Sequence, residues 1–200
     1  MKNILRKLLA VVFCGLFFSG HSVAEENVGQ VKSLFLYNFA NFVRWPPEAF
    51  SGTGEKLRIC IYGKAELGSF LDQVNGTRIR DKILDLLRTS NEKEIDSGCH
   101  VLFVGADKMA FLPVLTSSSK HIYVLSVSDV ESFAREGGVI SIVRTSDKVS
   151  FEVNLDVAIS RGLLISSDLL SMARIVGRDG KPVTVEQERK TDTLLDDVKK

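Results

Sequence analysis

The chain has 200 residues, with 26 Lys and Arg against 25 Asp and Glu, 44% hydrophobic and 8% aromatic residues, and only 4 Pro. That composition excludes a disordered polypeptide and a disulfide-dense miniprotein. Three of the basic residues (Lys2, Arg6 and Lys7) lie in 1–24, so residues 25–200 carry 23 basic against 25 acidic groups, with no basic surplus to suit a nucleic acid.

Residues 1–24 read as a secretory signal peptide: a basic start, an apolar run from Leu8 to Phe18, and Ser22-Val23-Ala24 as a small-x-small cleavage site. The run is 11 residues long, whereas a spanning helix needs roughly 20, so cleavage after Ala24 is expected rather than an anchor. Bulky Phe13 before Cys14 argues against lipid attachment. No later segment is long and apolar enough to insert in a membrane, and a leader of this kind points to the periplasm. The length then suits one α/β domain over 25–176 followed by a polar tail, 177–200.

Once Cys14 leaves with the leader, Cys60 and Cys99 are the only thiols, in an oxidising compartment. A disulfide is expected between them. Closing a loop of this length would stabilise by about 4 kcal/mol on the chain-entropy view. Two buried free thiols are the alternative, and a redox-catalytic pair would normally show C-x-x-C spacing.

Along the rest of the chain, Val28, Val31, Leu34, Phe35, Phe39 and Phe42 recur at three and four, the stripe of an amphipathic helix over 27–43. Trp45-Pro46-Pro47 ends it. A continuous apolar run, 57–62, reads as a strand buried on both faces. A short helix is expected over 66–74, a strand over 83–87, an acidic loop over 91–98, and a strand over 101–104 ending at Gly105. Residues 107–115 read as helical with Pro113 weakening the end, and 122–125 as a buried strand. Ser128 or Asp129 is placed to cap a short helix reaching Arg135, broken by Gly137-Gly138. Two strands, 139–143 and 149–153, form a hairpin, followed by a helix over 155–161 and another capped by Ser167 or Asp168. This alternation predicts an α/β sandwich with a largely parallel sheet, helices on both faces and an antiparallel hairpin near one edge.

The sequence offers no catalytic set. His100 and His121 stand alone at strand mouths and read as structural. No metal-ligand spacing, nucleophile motif or phosphate loop is present, and Gly52-Thr53-Gly54 and Gly137-Gly138 read as turns. No cofactor is therefore expected. An open α/β sheet does offer a crevice at its strand ends, where a small ligand could bind. Tyr37, Asn38 and Asn41 fall off the helical stripe, and Trp45 lies beyond the helix end. These four are the candidates for a partner interface or for self-association into a homodimer, aromatic residues being common interface anchors; covering the sheet edge is the alternative for Tyr37 and Trp45.

The run Lys32 to Pro46, with Tyr37-Asn38-Phe39 and Trp45-Pro46, closely resembles the opening of the YfiR family. The strand from Cys60 to Gly63, the block Gly98 to Val104, Val127-Ser128-Asp129, Gly137 to Ile140, Val149 to Leu155 and Arg161 to Arg174 continue the resemblance in order, over about residues 28–176. It implies a periplasmic α/β protein without catalysis that binds the periplasmic domain of an inner-membrane diguanylate cyclase and restrains it, lowering cyclic di-GMP and biofilm formation. It also implies that Cys60 and Cys99 pair. Some family members carry a second cysteine pair nearer the C-terminus, and this chain has none. The tail from Gly177 lies outside the resemblance.

Overall fold

The computed structural model describes residues 22–145 and 148–177, so most of the predicted leader and nearly all of the tail lie outside it. The first described helix, α1 (Ser22–Phe42), runs into a two-residue strand, β1 (Val43–Arg44). Then come β2 (Lys56–Tyr62), α2 (Phe70–Val74), β3 (Arg78–Ile79), β4 (Lys82–Thr89), α3 (Glu92–Ile95), β5 (Val101–Val104), α4 (Leu112–Ser117) and β6 (Leu125–Ser128). The described chain closes with β7 (Ile140–Arg144), β8 (Val149–Asn154), α5 (Leu155–Ser160), β9 (Leu164–Ile165), α6 (Ser167–Met172) and β10 (Arg174–Val176).

Eight strands form one sheet in the order β10-β8-β7-β6-β5-β2-β4-β3. The five strands β4, β2, β5, β6 and β7 are parallel, β7 and β8 make the expected antiparallel hairpin, and β10 adds parallel to β8 at the edge. The chain moves from β2 to one side for β4, then to the other for β5, β6 and β7, a doubly wound order. A separate pair, β1 with β9, sets Arg44 opposite Leu164.

One face of the sheet is apolar along its whole width: Leu57, Ile59, Ile61, Val101, Phe103, Leu125, Val127, Ile140, Ile142, Phe151 and Val153. Helix α1 buries Leu36, Phe39 and Ala40 against it and β1 adds Val43, with α2, α5 and α6 contributing Leu71, Ala158 and Leu169. Phe39 packs edge-on to Phe151, the ring centroids 5.2 Å apart. The helix is rotated from the expected stripe. Leu36 is fully buried while Leu34 is 44% exposed, because the helix leans its Ser33 side on the segment before α2, where the Ser33 hydroxyl donates to the Gly68 carbonyl.

The opposite face divides. Beside β2 and β5 it holds Cys60, Tyr62, Leu102 and Val104 under Phe111, Leu112, Leu115 and Phe133. Cys60 and Cys99 are joined by a disulfide inside this layer, with Cα atoms 5.9 Å apart. Across β6, β7 and β8 the same face presents Ser126, Ser128, Ser141, Glu152 and Asn154, all buried. These side chains hold the 129–138 segment. Ser141 Oγ accepts from the Ala134 N–H at 2.7 Å, Asn154 Nδ2 donates to the Ala134 carbonyl at 2.9 Å, and Ser126 Oγ accepts from the Val139 N–H at 3.0 Å. Arg135 closes over Glu152 with two hydrogen bonds, at 2.9 and 2.6 Å.

That network explains why the helix expected over 129–135 is a series of turns. The Ala134 N–H is taken by Ser141, and its carbonyl is shared between Asn154 and the Gly137 N–H of the closing turn, so a continuous helical ladder does not form there. The strand expected over 122–125 lies three residues later, at 125–128. A 3₁₀ turn over Ser119–His121 precedes it, the Lys120 N–H donating to Ser118 Oγ, while the carbonyls of His121 and Tyr123 accept from Arg161 and Trp45. The helix expected over 66–74 shrinks to 70–74: Gln30 Oε1 accepts the Phe70 N–H, and Gly68 packs on the Gln30 side chain. Pro113 opens α4 rather than weakening a helix end, and Ser166, not Ser167 or Asp168, caps α6. The acidic loop contains α3, capped by Asn91.

Candidate binding face at the strand N-termini

The crevice expected at the carboxyl ends of the strands is filled where the doubly wound order reverses, between β2 and β5. The turns that follow them interlock: the Lys64 N–H donates to Asp107 Oδ1 at 2.8 Å, and a Cβ at Gly105 would run into the Lys64 backbone. Gly63, with φ +87°, faces the Lys108 and Asp107 side chains with no room for a Cβ.

Two clefts open instead at the opposite end, around the N-termini of the parallel strands. The first, of about 400 Å³, is lined by Trp45, Pro47, Phe50, Leu57 and Ile79, with Arg44, Arg80, Asp81 and Lys82 also contributing. Trp45 is held by its indole N–H, which donates to the Tyr123 carbonyl at 2.9 Å, and by His100, which it meets edge-on. Phe50 stacks on His100 at 4.4 Å, and the Lys82 ammonium sits 4.5 Å above the Phe50 ring. Arg80 occupies the left-handed region at φ +55°, and its Nη1 donates to the Val43 carbonyl at 3.0 Å, just past the end of α1.

His100 anchors this cluster from below. It is 1% exposed, its Nδ1 accepts the Arg58 N–H at 3.0 Å, and Thr53 Oγ1 lies 3.4 Å from Nε2. Burial pushes its pKa down to about 4, with the positive charges of Arg58 and Lys82 adding to the effect and a backbone hydrogen bond to Ala49 opposing it. The imidazole is therefore neutral at pH 7 and serves as packing for two aromatic rings. His121 is also buried and lowered, first by burial, against the opposing pull of Asp96.

The second cleft, of about 500 Å³, lies between the 116–119 segment, Ile122, Gly137 and α5. Arg161 stands at its back, buried, donating to the carbonyls of His121 and Leu115 at 2.7 and 2.8 Å. Ile122, in the wall of the second cleft, is 43% exposed, and Ile159 of α5 and Leu164 of β9 are 60% and 66% exposed. Leu164 lies opposite Arg44 of the first cleft, and Gly162 packs against the Tyr123 ring. Trp45, Tyr123, Gly162, Leu164 and Arg44 thus make one continuous surface.

Of the four residues singled out from the sequence, only Trp45 sits in this surface. Tyr37 is half-buried and meets Phe70 of α2 edge-on at 5.5 Å, Asn38 is half-buried beside it in sequence, and Asn41 Nδ2 reaches back to the Tyr37 carbonyl at 3.4 Å. Trp45 and Tyr37 both have packing partners within the fold. Phe50, Arg80, Lys82 and Leu164 belong to this surface without standing out in the hydrophobic pattern of the chain. The alternation of cations at Arg78, Arg80 and Lys82 around a two-strand turn was the available signal for two of them.

Fold and face together define a doubly wound α/β domain with two clefts on the N-terminal side of its parallel strands. The sequence matches the YfiR/HmsC-like family over residues 29–174, and the chain belongs to that family, a group of periplasmic regulators without catalytic activity. Among solved structures, it is similar to the ABC domain in complex with L-Trp from Streptococcus pneumonia, at 11% identity and a TM-score of 0.43, covering 70% of this chain and 60% of that one. That likeness is too distant to assign any property. Among the described residues, no helix is long and apolar enough to cross a membrane.

Proposed function

We propose that this protein is a periplasmic repressor that binds the periplasmic domain of an inner-membrane diguanylate cyclase through the face at the strand N-termini, and so lowers cyclic di-GMP and biofilm formation. The observation that carries the choice of face is its exposed aliphatic side chains: Leu164, opposite Arg44 of the aromatic and cationic cleft, is 66% exposed, Ile159 of α5 60%, and Ile122 in the wall of the second cleft 43%. Large apolar side chains left open to solvent beside clefts are a feature of association sites.

The test is the pair Ile159→Glu and Leu164→Glu in the full chain. Both side chains are open to solvent, so the melting temperature should hold. Capture of the cyclase from detergent-solubilised inner membrane should fall by roughly 30-fold or more, the scale of an interface hot spot. Cyclic di-GMP should rise as it does in a strain lacking the protein. Unchanged capture and unchanged cyclic di-GMP with the double variant would exclude this face. A second reading, a sensor of a small ligand, is favoured by the two clefts of about 400 and 500 Å³ on the same face; there, a small molecule would compete with cyclase capture.

A further inference from the structure

The second cleft holds a buried charge with no opposite charge beside it. Among the described residues, the buried side chains of lysine, arginine or acidic type are Lys32, Glu152 and Arg161. Lys32 meets Asp129, and Glu152 meets Arg135 and Arg174, whereas Arg161 meets only the carbonyls of His121 and Leu115. A buried cation without an anion is costly, and carbonyl dipoles offset only part of that cost. Burial accordingly lowers the Arg161 pKa below the ordinary arginine value.

A guanidinium carries several N–H donors, and the two carbonyls engage only the Nη atoms of Arg161. No buried polar side-chain atom of the described residues lacks a hydrogen-bond partner, so the Nε–H, which has none among those residues, opens to solvent. Arg161 lines the cleft of about 500 Å³, and this donor is available to a molecule held there. Most hydroxyls around it are already donating: those of Thr116 and Ser117 turn back to the Pro113 carbonyl, and that of Ser160 to the Val157 carbonyl. Negative charge therefore has its seat at Arg161. Glu136 also lines the cleft, exposed and without an ion pair to Arg161, and it would repel a multiply charged anion. Ile122 and Val157 supply aliphatic walls.

We infer that the cleft between the 116–119 segment and α5 binds a singly charged aliphatic carboxylate, its oxygens on the Arg161 Nε–H and its hydrocarbon part against Ile122 and Val157. The carboxylate is that of a free short-chain acid or of a peptide C-terminus, two sources with the same chemistry. This deepens the small-ligand reading given above and rests on it for its role in the cell. The binding itself does not depend on the cyclase.

The experiment titrates the isotope-labelled full chain with hexanoate, hexanamide, acetyl-alanyl-leucine and the C-terminal amide of that dipeptide. Nuclear magnetic resonance follows the Arg161 Nε–H and the main-chain amides of Ser119, Ile122 and Gly137. At least one of the two acids should move these signals, while neither amide does. Movement by hexanoate alone identifies a free acid as the source, and movement by the dipeptide alone a chain terminus. Ile122→Glu changes an exposed side chain and leaves the Arg161 clamp intact, so the melting temperature should hold while affinity falls by roughly tenfold or more, through a like charge set against the ligand. Glu136→Gln should raise affinity by roughly threefold, the scale of one exposed charge. Silent spectra with both acids at millimolar concentration would overturn the inference, as would equal binding of hexanoate and hexanamide or unchanged affinity in Ile122→Glu. Carboxylate binding that leaves cyclase capture unchanged would remove the sensing role and keep the site, whereas silent spectra remove the site whatever capture shows.

Discussion

The two faces of the sheet are built from the same strands and stabilised in different ways. On one, residues at every second position from β4 to β8 are aliphatic or aromatic, and a long helix covers them. On the other, β2 and β5 stay apolar around the disulfide, while β6, β7 and β8 turn to Ser126, Ser128, Ser141, Glu152 and Asn154. An apolar face accepts any cover of matching shape, because burial is non-directional. A polar face accepts only a cover whose backbone groups meet its donors and acceptors, and the 129–138 segment is shaped to do so.

The contrast is broken most severely from the apolar side. Phe39→Ala removes a fully buried ring between α1 and Phe151 and should cost about 3–5 kcal/mol in urea unfolding, with α1 losing its main anchor. Cys60→Ser should cost roughly 2–5 kcal/mol; thiol titration of unfolded, unreduced wild-type protein should find neither Cys60 nor Cys99 reactive. Two titratable thiols per chain would remove the disulfide from the account.

His100 sharpens the comparison through pH. Its folded pKa of about 4 lies below the ordinary 6.5, so the unfolded chain binds the proton first. Stability from this group is full above about pH 6.5 and is lost as the pH falls toward 4, by about 3 kcal/mol in all. Denaturation midpoints measured between pH 7 and 4 should fall more steeply for wild type than for His100→Gln. Equal slopes would show that the imidazole is not the group responsible. Asp85 acts only at lower pH: burial alone would raise its pKa, but Arg58 and Lys56 hold it below the ordinary 3.8.

The smallest effect tests the polar face. Ser141→Ala leaves the buried Ala134 N–H without its acceptor and should cost about 1–3 kcal/mol. The loss should appear as faster amide exchange over 130–137 with little change in α1. If the exchange rates of α1 and of 130–137 rose together, the two faces would be one cooperative unit and the distinction drawn above would fail.

Much of this architecture was legible in the one-dimensional pattern. The apolar runs 57–62 and 101–104 and the alternation over 149–153 appear as strands because burial repeats with backbone period, and Cys60 and Cys99 were the only thiols outside the leader. The α/β class and the hairpin followed from the order of those runs. Local pattern failed wherever a distant side chain claimed a backbone group: Ser141 and Asn154 took Ala134 out of a helix, Trp45 and Arg161 took the carbonyls of Tyr123 and His121 out of a strand, and Gln30 held back the start of α2. The cleft was hidden for the same reason. Trp45, Phe50, Ile79 and Lys82 lie on separate segments with no common spacing, and only the pairing of β2 with β4 and the turn at Arg80 bring them together. Hydrophobic periodicity is a local property that a sequence displays directly, whereas a hydrogen-bond partner or a cleft wall depends on which residues the topology makes neighbours, and that is decided only when the whole sheet closes.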